Sequence, residues 1–69
     1  MKSYIVLKYE DLDSQASMLD IPYHELESQM REAHKLDGQC VYFKRYESWY
    51  WLIIHNALPV DWVMALVLA

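Results

Sequence analysis

Glycine, proline and cysteine are scarce in this sequence, which has one, two and one of them in 69 residues. The single cysteine, Cys40, excludes an internal disulfide, and because small secreted domains usually depend on several, we expect a cytoplasmic protein. The low glycine and proline content argues against long loops and disorder. A glycine-rich phosphate loop, a nucleophile elbow and an HExxH motif are also absent, so we expect neither an enzyme nor a cofactor.

The sequence also lacks a long uninterrupted hydrophobic run. Near the N-terminus the apolar run covers only residues 4–7, and no small-residue cleavage site follows, so we expect no signal peptide. The apolar region 49–69 is long enough for a bilayer, but polar residues interrupt it near its middle: His55, Asn56, Pro59 and Asp61. Because a charge at mid-bilayer is costly, we expect no membrane-spanning segment.

Apolar residues, by contrast, are abundant: hydrophobic residues make up 55% of the chain and aromatic residues 14%. We expect a chain of this length to form a single domain, residues 1–69, and so small a domain buries only about 60% of the surface that its unfolded form exposes. Part of the apolar surface is therefore expected to face a partner, which could be another protein or a second copy of the chain.

The order of local patterns predicts an α+β fold, with one main helix packed on an antiparallel sheet. Residues 3–9 are β-branched and aromatic without a breaker, which favours a strand. A short helix is expected to follow. Asp20 then caps the main helix, which we expect over about residues 22–36.

Three further elements are expected after the main helix. Gly38 ends that helix in a left-handed conformation. Strands 39–46 and 49–56 form a hairpin, joined at residues 47–48 or by a four-residue turn. The segment 60–68 favours a fourth strand, because it contains three valines and a tryptophan and could pair with the N-terminal strand.

The expected hairpin has two faces of different composition. The pairing that places Arg45 opposite Tyr50 collects an aliphatic face, which we expect to lie under the main helix. The opposite face, called the aromatic face below, carries residues expected to contact a partner: Tyr42, Lys44, Tyr46, Trp49 and Trp51. Tyrosine and tryptophan offer large, rigid area and dominate interface energetics. The alternative is that this face lies under the C-terminal segment or only stabilises the hairpin.

Metal-binding and catalytic residues are sparse. The three histidines and Cys40 show no paired ligand spacing, so we expect no metal site. Cys40 and His55 would face each other across the hairpin, as a nucleophile and its base do. A free cysteine is more often a small buried side chain, and that interpretation is favoured here.

Charge is unevenly distributed over a chain whose net charge is −4. Residues 10–37 carry eight acidic side chains and two basic ones, a net charge of −6 on the helical third of the chain. We predict that three acids of the main helix engage a basic groove on a target protein: Glu25, Glu27 and Glu32. An ordinary solvated helix face is the alternative. The acidity argues against direct nucleic-acid binding, which needs a basic field.

Residues 14–31 resemble a helix-turn-helix motif. The positions at which such motifs place packing residues are occupied by Ala16, Leu19, Ile21 and Leu26. A hairpin follows, as in winged helices and small phage repressors. The resemblance implies a homodimeric transcriptional regulator that binds DNA. The sequence departs from the pattern at Asp20, where glycine is usual, and at Gln29, where an apolar residue is expected.

The absences and the charge pattern together favour a small acidic protein-binding module. Small, dense, acidic chains are frequent among bacteriophage and mobile-element proteins that bind a host enzyme or defence protein and block its ligand site. We therefore expect an inhibitor of this kind, whose target could be a nucleic-acid-handling enzyme in the bacterial or infected-host cytoplasm. The alternatives are the homodimeric helix-turn-helix regulator and a small structural subunit of a larger complex.

Overall fold

The computed structural model describes residues 3–69. Its strands are β1 (Tyr4–Val6), β2 (Gly38–Arg45) and β3 (Ser48–His55), and its α-helices are α1 (Leu12–Leu19), α2 (Tyr23–Lys35) and α3 (Val60–Val67). The strands form an antiparallel sheet in the order β1-β2-β3, so the predicted α+β fold is confirmed. Among the helices of residues 3–69, none has the length and apolar character needed to cross a membrane.

Helices cover both faces of this sheet. Side chains alternate along β2, so Cys40 and Tyr42 point to one face and Val41 points to the other. The first face packs against α1 and α2 in a core whose buried members are Leu7, Leu12, Ala16, Leu19, Leu26, Ala33, Cys40 and Tyr42. The second face packs against α3, around Val41, Ile54 and Met64. The sheet is therefore apolar on both sides.

The C-terminal segment is a helix, so the fourth strand expected over 60–68 is wrong. Pro59 precedes the helix, and residues that face the sheet recur at helical spacing: Val60, Met64 and Val67. Their burial outweighs the β propensity of valine, which mainly reflects packing context. The partner of β1 is β2, and the C-terminal segment lies on the sheet instead of extending it.

The N-terminal strand is shorter than its predicted range, 3–9. Regular strand covers only Tyr4–Val6, and a 3-10 turn precedes α1. The side chain of Gln15 on α1 caps this strand end. Its Nε2 donates to the Val6 carbonyl oxygen at 3.1 Å, and its Oε1 accepts from the Lys8 N–H at 3.3 Å. These bonds satisfy one backbone group at the end of the regular strand and one just beyond it.

The main helix is α2, and its observed bounds agree with the predicted range 22–36 within one residue at each end. A short helix, α1, precedes it as predicted. The expected caps differ, however. Asp20 is left-handed (φ 56°, ψ 44°) at the end of α1, and Pro22 is the N-cap residue of α2. Asp37, and not Gly38, takes the left-handed conformation after α2, with φ of 53°.

The hairpin turn lies at Tyr46 and Glu47, one residue earlier than the predicted two-residue turn. Both residues have positive φ, 53° and 67°, as the two central residues of a type I′ turn require. The register therefore shifts by two residues, and Arg45 pairs with Ser48 instead of Tyr50. A two-residue shift leaves every side chain on its predicted face, because strand side chains alternate with a period of two.

Gly38 is needed for a close approach of the two hairpin strands. A Cβ added there would lie 2.8 Å from the Ile54 carbonyl oxygen and 2.7 Å from Cγ2 of Ile53. We therefore expect Gly38→Ala to lower the free energy of unfolding by about 1–3 kcal/mol, because the backbones must move apart. Urea unfolding measures the loss, with Ser48→Ala at the other end of the hairpin as control. An alanine variant as stable as the parent would contradict this account.

Candidate protein-contact surface

The aromatic face is covered by α1 and α2, so the prediction that the aliphatic face lies under the main helix is wrong. Tyr42 is only 3% exposed and belongs to the core between the sheet and these helices. Trp49 is half-buried against the same core. The aliphatic face packs on α3 instead. Tyr42 therefore cannot contact a partner directly, and Trp49 keeps only part of its surface for one.

The outer part of the hairpin keeps three of the predicted contact residues exposed. Lys44, Tyr46 and Trp51 are open to solvent, and Tyr46 at the turn is 82% exposed. The Nζ atom of Lys44 lies 5.9 Å from the ring centroid of Trp49, within cation–π range. Positive φ is costly for tyrosine, and the exposed ring gains little packing in return. Turn stability therefore does not explain the tyrosine at this position.

Arg45 joins the hairpin tip to the end of α3. Its Nη1 donates to the Val67 carbonyl oxygen at 2.6 Å, and its Nη2 donates to that of Ala69 at 3.5 Å. A cation near a helix C-terminus is favourable, because it meets carbonyl groups that have no partner within the helix. The guanidinium carbon of Arg45 also lies 5.3 Å from the ring centroid of Tyr46. Tyr46 and the last turn of α3 are thus parts of one surface.

The acidic residues of α2 that are predicted to contact a partner differ in how much negative charge they expose to solvent. Glu25 and Glu32 are exposed. Glu27 is half-buried, and its Oε1 accepts from Nη2 of Arg31 at 3.0 Å. This ion pair reduces the negative charge that Glu27 offers to a partner. The acidic surface of α2 is therefore carried mainly by Glu25 and Glu32.

Tyr42, one of the residues predicted as contact sites, has a pKa raised by burial and by negative charge. Burial raises the pKa of Tyr42 to about 12, and the charges of the Cys40 thiolate and of Glu25 add to the shift. Tyr42 pairs across the hairpin with Trp51.

The α3 outer face, formed by Leu58, Trp62 and Leu66, is an apolar surface that sequence reasoning missed. Trp62 is 57% exposed and Leu66 is 63% exposed, and Leu58 lies just before the helix. Surface helices normally carry polar residues on the outward side, whereas α3 contains a single charged residue, Asp61. The sequence does contain a signal for this helix, because Leu58, Trp62 and Leu66 recur every four residues and Pro59 precedes the helix. The β propensity of the valines favoured a strand instead.

The segment that resembles a helix-turn-helix folds as two helices joined by a short turn. α1 and α2 are separated by residues 20–22 and contact each other. The residues at the motif's packing positions lie in or against one core: Ala16, Leu19, Ile21 and Leu26. Asp20 adopts a left-handed conformation where glycine is usual. Two packed helices with a short turn between them are therefore present, and Glu25 and Glu32 are exposed on the second helix.

Cys40 does not face His55, so the predicted pairing of these two residues is wrong. In the observed register Cys40 lies opposite Ile53, and His55 lies opposite Gly38. Burial raises the pKa of the Cys40 thiol to about 12, so the nucleophilic thiolate is scarce at neutral pH. Within residues 3–69, no group of three or more His, Cys, Asp or Glu side chains is arranged to hold a metal ion.

The free energy of unfolding is expected to decrease as the pH rises above about 9. Burial raises the pKa of Cys40 from 9.0, and that of Tyr42 from 10.0, to about 12. Their contribution is complete below the unfolded-state pKa values and is lost as the pH rises through the folded-state values. Urea unfolding at a series of alkaline pH values measures the decrease. Cys40→Ala should flatten its first part, before Tyr42 titrates, and an unchanged slope in that variant would contradict the assignment.

A comparison with protein families, curated proteins and solved structures found no match to this chain.

Proposed function

We propose that this chain is a small protein-binding module, whose contact surface is the α3 outer face together with Tyr46 at the hairpin tip. The observation that supports the proposal is the exposure of Trp62 and Leu66. The packing of α3 on the sheet comes from its opposite side, around Met64. The fold therefore gains little from a tryptophan and a leucine on the outer side, whereas a partner that covers them gains directly.

Covering the α3 outer face would supply substantial binding energy. Burial of apolar area contributes about 25 cal/mol per Å², so covering a mostly exposed tryptophan contributes on the order of 2–3 kcal/mol. Trp62 is such a residue, and Leu66 lies one helical turn away. Tyr46 adds a second aromatic ring, which Arg45 holds beside the end of α3. Tryptophan, tyrosine and arginine are the residues that most often dominate binding energy.

The charge distribution favours a basic partner. Glu25 and Glu32 are exposed on α2, and the whole chain carries a net charge of −4. Such a charge accelerates association with a basic surface, including one that normally binds nucleic acid. α2 and α3 lie on opposite sides of the sheet, so the acids direct association while the α3 outer face makes the apolar contact.

The specific form that we propose is an inhibitor that occupies the basic ligand groove of a host enzyme or defence protein. In this form the acids direct association, and the α3 outer face provides the apolar contact. The same surface on a structural subunit would hold the chain in a complex without blocking any ligand. Competition between this chain and the target's own ligand distinguishes the two forms.

Affinity capture from a lysate of the source cell, followed by mass spectrometry, tests the proposal. The wild-type chain should retain one protein that a Trp62→Ala, Leu66→Ala double variant does not retain. Met18→Ala is the matched control, because Met18 is equally exposed but lies on α1. Association of the purified partner should slow as salt is added. Identical captures by wild type and double variant would contradict a role for the α3 outer face.

A second candidate function is DNA binding by α1 and α2. The observation that favours it is the left-handed Asp20 in a three-residue turn between two packed helices. Against it, Glu25 and Glu32 would face the phosphates of the bound duplex. Retardation of duplex DNA at low salt, weakening steeply with added salt, would favour this function. A chain that retards no duplex even at low salt has no such role.

A further inference from the structure

The strand β3 forms a long edge of the sheet. Within residues 3–69 it pairs with β2 on one side, and the sheet order places it at the outside. Edge strands are usually protected by charged side chains, proline, bulges or short length. β3 has eight residues, Ser48–His55, without Asp, Glu, Lys, Arg or Pro. We propose that two copies of this chain join through β3, which pairs antiparallel with itself about a twofold axis.

Backbone hydrogen bonds show which residues of β3 point outward. The Asn56 N–H donates to the Asp37 carbonyl oxygen at 3.3 Å and so continues the β2–β3 ladder. Hydrogen-bonded pairs alternate in an antiparallel ladder. The even-numbered residues of β3 therefore direct their N–H and C=O groups toward β2. The residues whose backbone groups point away from the sheet are Trp49, Trp51, Ile53 and His55.

The other side of β2 gives an independent check on this alternation. The Lys44 N–H donates to the Ser3 carbonyl oxygen at 3.0 Å, and the Leu7 N–H donates to that of Cys40 at 2.9 Å. The even-numbered residues of β2 are thus directed toward β1, and its odd-numbered residues are directed toward β3. Both sets of bonds agree on the same assignment.

A twofold axis perpendicular to the sheet at Trp51 gives partners to the outward groups of Trp49, Trp51 and Ile53. Trp51 then pairs with Trp51 of the second copy, and Trp49 pairs with Ile53 of the second copy. Both pairs join residues with outward backbone groups, so the N–H and C=O groups of Trp49, Trp51 and Ile53 would form hydrogen bonds with the second copy. Because the axis is perpendicular to the sheet, equivalent faces of the two copies lie on the same side of the joined sheet. The result is one continuous antiparallel sheet, with the α1 and α2 layers of both copies on one side and both α3 helices on the other.

The charge distribution favours contact between two copies at β3 over contact at the helical side. Each copy carries a net charge of −4, and the acids are concentrated in residues 10–37. Contact through the helical side would bring like charges into direct contact, whereas β3 itself contains no Asp, Glu, Lys or Arg. Trp51 and Tyr50, which are 44% and 47% exposed, lie on opposite faces of β3 beside the edge. Pairing of the two strands would cover part of both rings.

Sedimentation equilibrium and light scattering of the full chain test this inference. The wild type should have twice the 8.3 kDa mass of one chain. Trp51→Lys places two cations at the axis and should raise the dimer dissociation constant about 30-fold or more, as loss of an anchoring tryptophan does elsewhere. Trp62→Lys is the matched control, because it adds the same charge on α3, away from the edge, and should stay dimeric.

Hydrogen exchange of the wild type keeps the inference testable if Trp51→Lys fails to fold. The amides of Trp49, Trp51 and Ile53 should be protected in concentrated samples and should exchange faster on dilution. The amides of Tyr50 and Leu52 bond to β2 and should not respond to dilution. A monomeric wild type at near-millimolar concentration, or a dimer that Trp51→Lys does not weaken, would overturn the inference. Neither result would contradict the proposed protein binding, because that binding depends on Trp62 and Leu66.

Discussion

Replacing Met64 by alanine is expected to lower the free energy of unfolding by about 2–5 kcal/mol. Met64 lies on the side of α3 that faces the sheet, is 1% exposed, and packs against Val41 and Ile54. The truncation removes buried atoms and leaves a cavity between the helix and the sheet, and both effects destabilise the folded state. Chemical denaturation followed by far-ultraviolet circular dichroism measures the loss.

Trp62→Ala and Leu66→Ala are the matched controls for Met64, because both residues lie on the outer side of the same helix. Each should change the free energy of unfolding by about 0.5 kcal/mol or less. The difference between the loss at Met64 and the losses at Trp62 and Leu66 also distinguishes a helix from a strand. In a strand, residues 62, 64 and 66 would share one face and respond together. Equal losses at the three positions would therefore contradict the helix.

Trp62→Ala is also expected to weaken binding of the captured partner by about 2 kcal/mol or more, which is roughly a 30-fold increase in Kd. The side chain is 57% exposed in the free protein, so its loss removes contact with the partner without opening a cavity. Titration calorimetry with the purified partner measures the change. Unfolding of the same variant, measured in parallel, shows whether the fold is intact.

Met18→Ala again separates a specific contact from a general loss of apolar surface. Met18 is 58% exposed on α1, which packs on the opposite side of the sheet from α3. The Kd of this variant should stay close to that of the wild type. If both substitutions weaken binding equally, or if Trp62→Ala leaves the Kd unchanged, the partner does not use the α3 outer face.

Local periodicity was informative where the two sides of an element differ in polarity. Leu26 and Ala33 are buried on α2 while Glu32 is exposed, and this contrast is visible in the sequence. The predicted range of α2 was accordingly accurate. The membership of the two hairpin faces was also correct, although the turn at Tyr46 and Glu47 could not be recognised. Neither residue is typical of a turn that requires positive φ.

The C-terminal segment offered no such contrast. It is apolar on every side except Asp61, so a helix and a strand would both bury apolar residues. Packing against the aliphatic face of the sheet favours the helix, and that packing joins residues far apart in the chain, such as Val41 and Met64. The candidate contact surface was missed for the same reason, because the exposure of Trp62 and Leu66 depends on which side of α3 meets the sheet.

The amino-acid sequence alone was sufficient for the α+β class, for the composition of each hairpin face and for the concentration of acid in residues 10–37. It was not sufficient to say which layer covers which face. Both faces of the hairpin are apolar, so the energy gained by burying either one is similar, and the arrangement of the three helices in space makes the difference. That arrangement places Tyr42 in the core and leaves Trp62 on the surface.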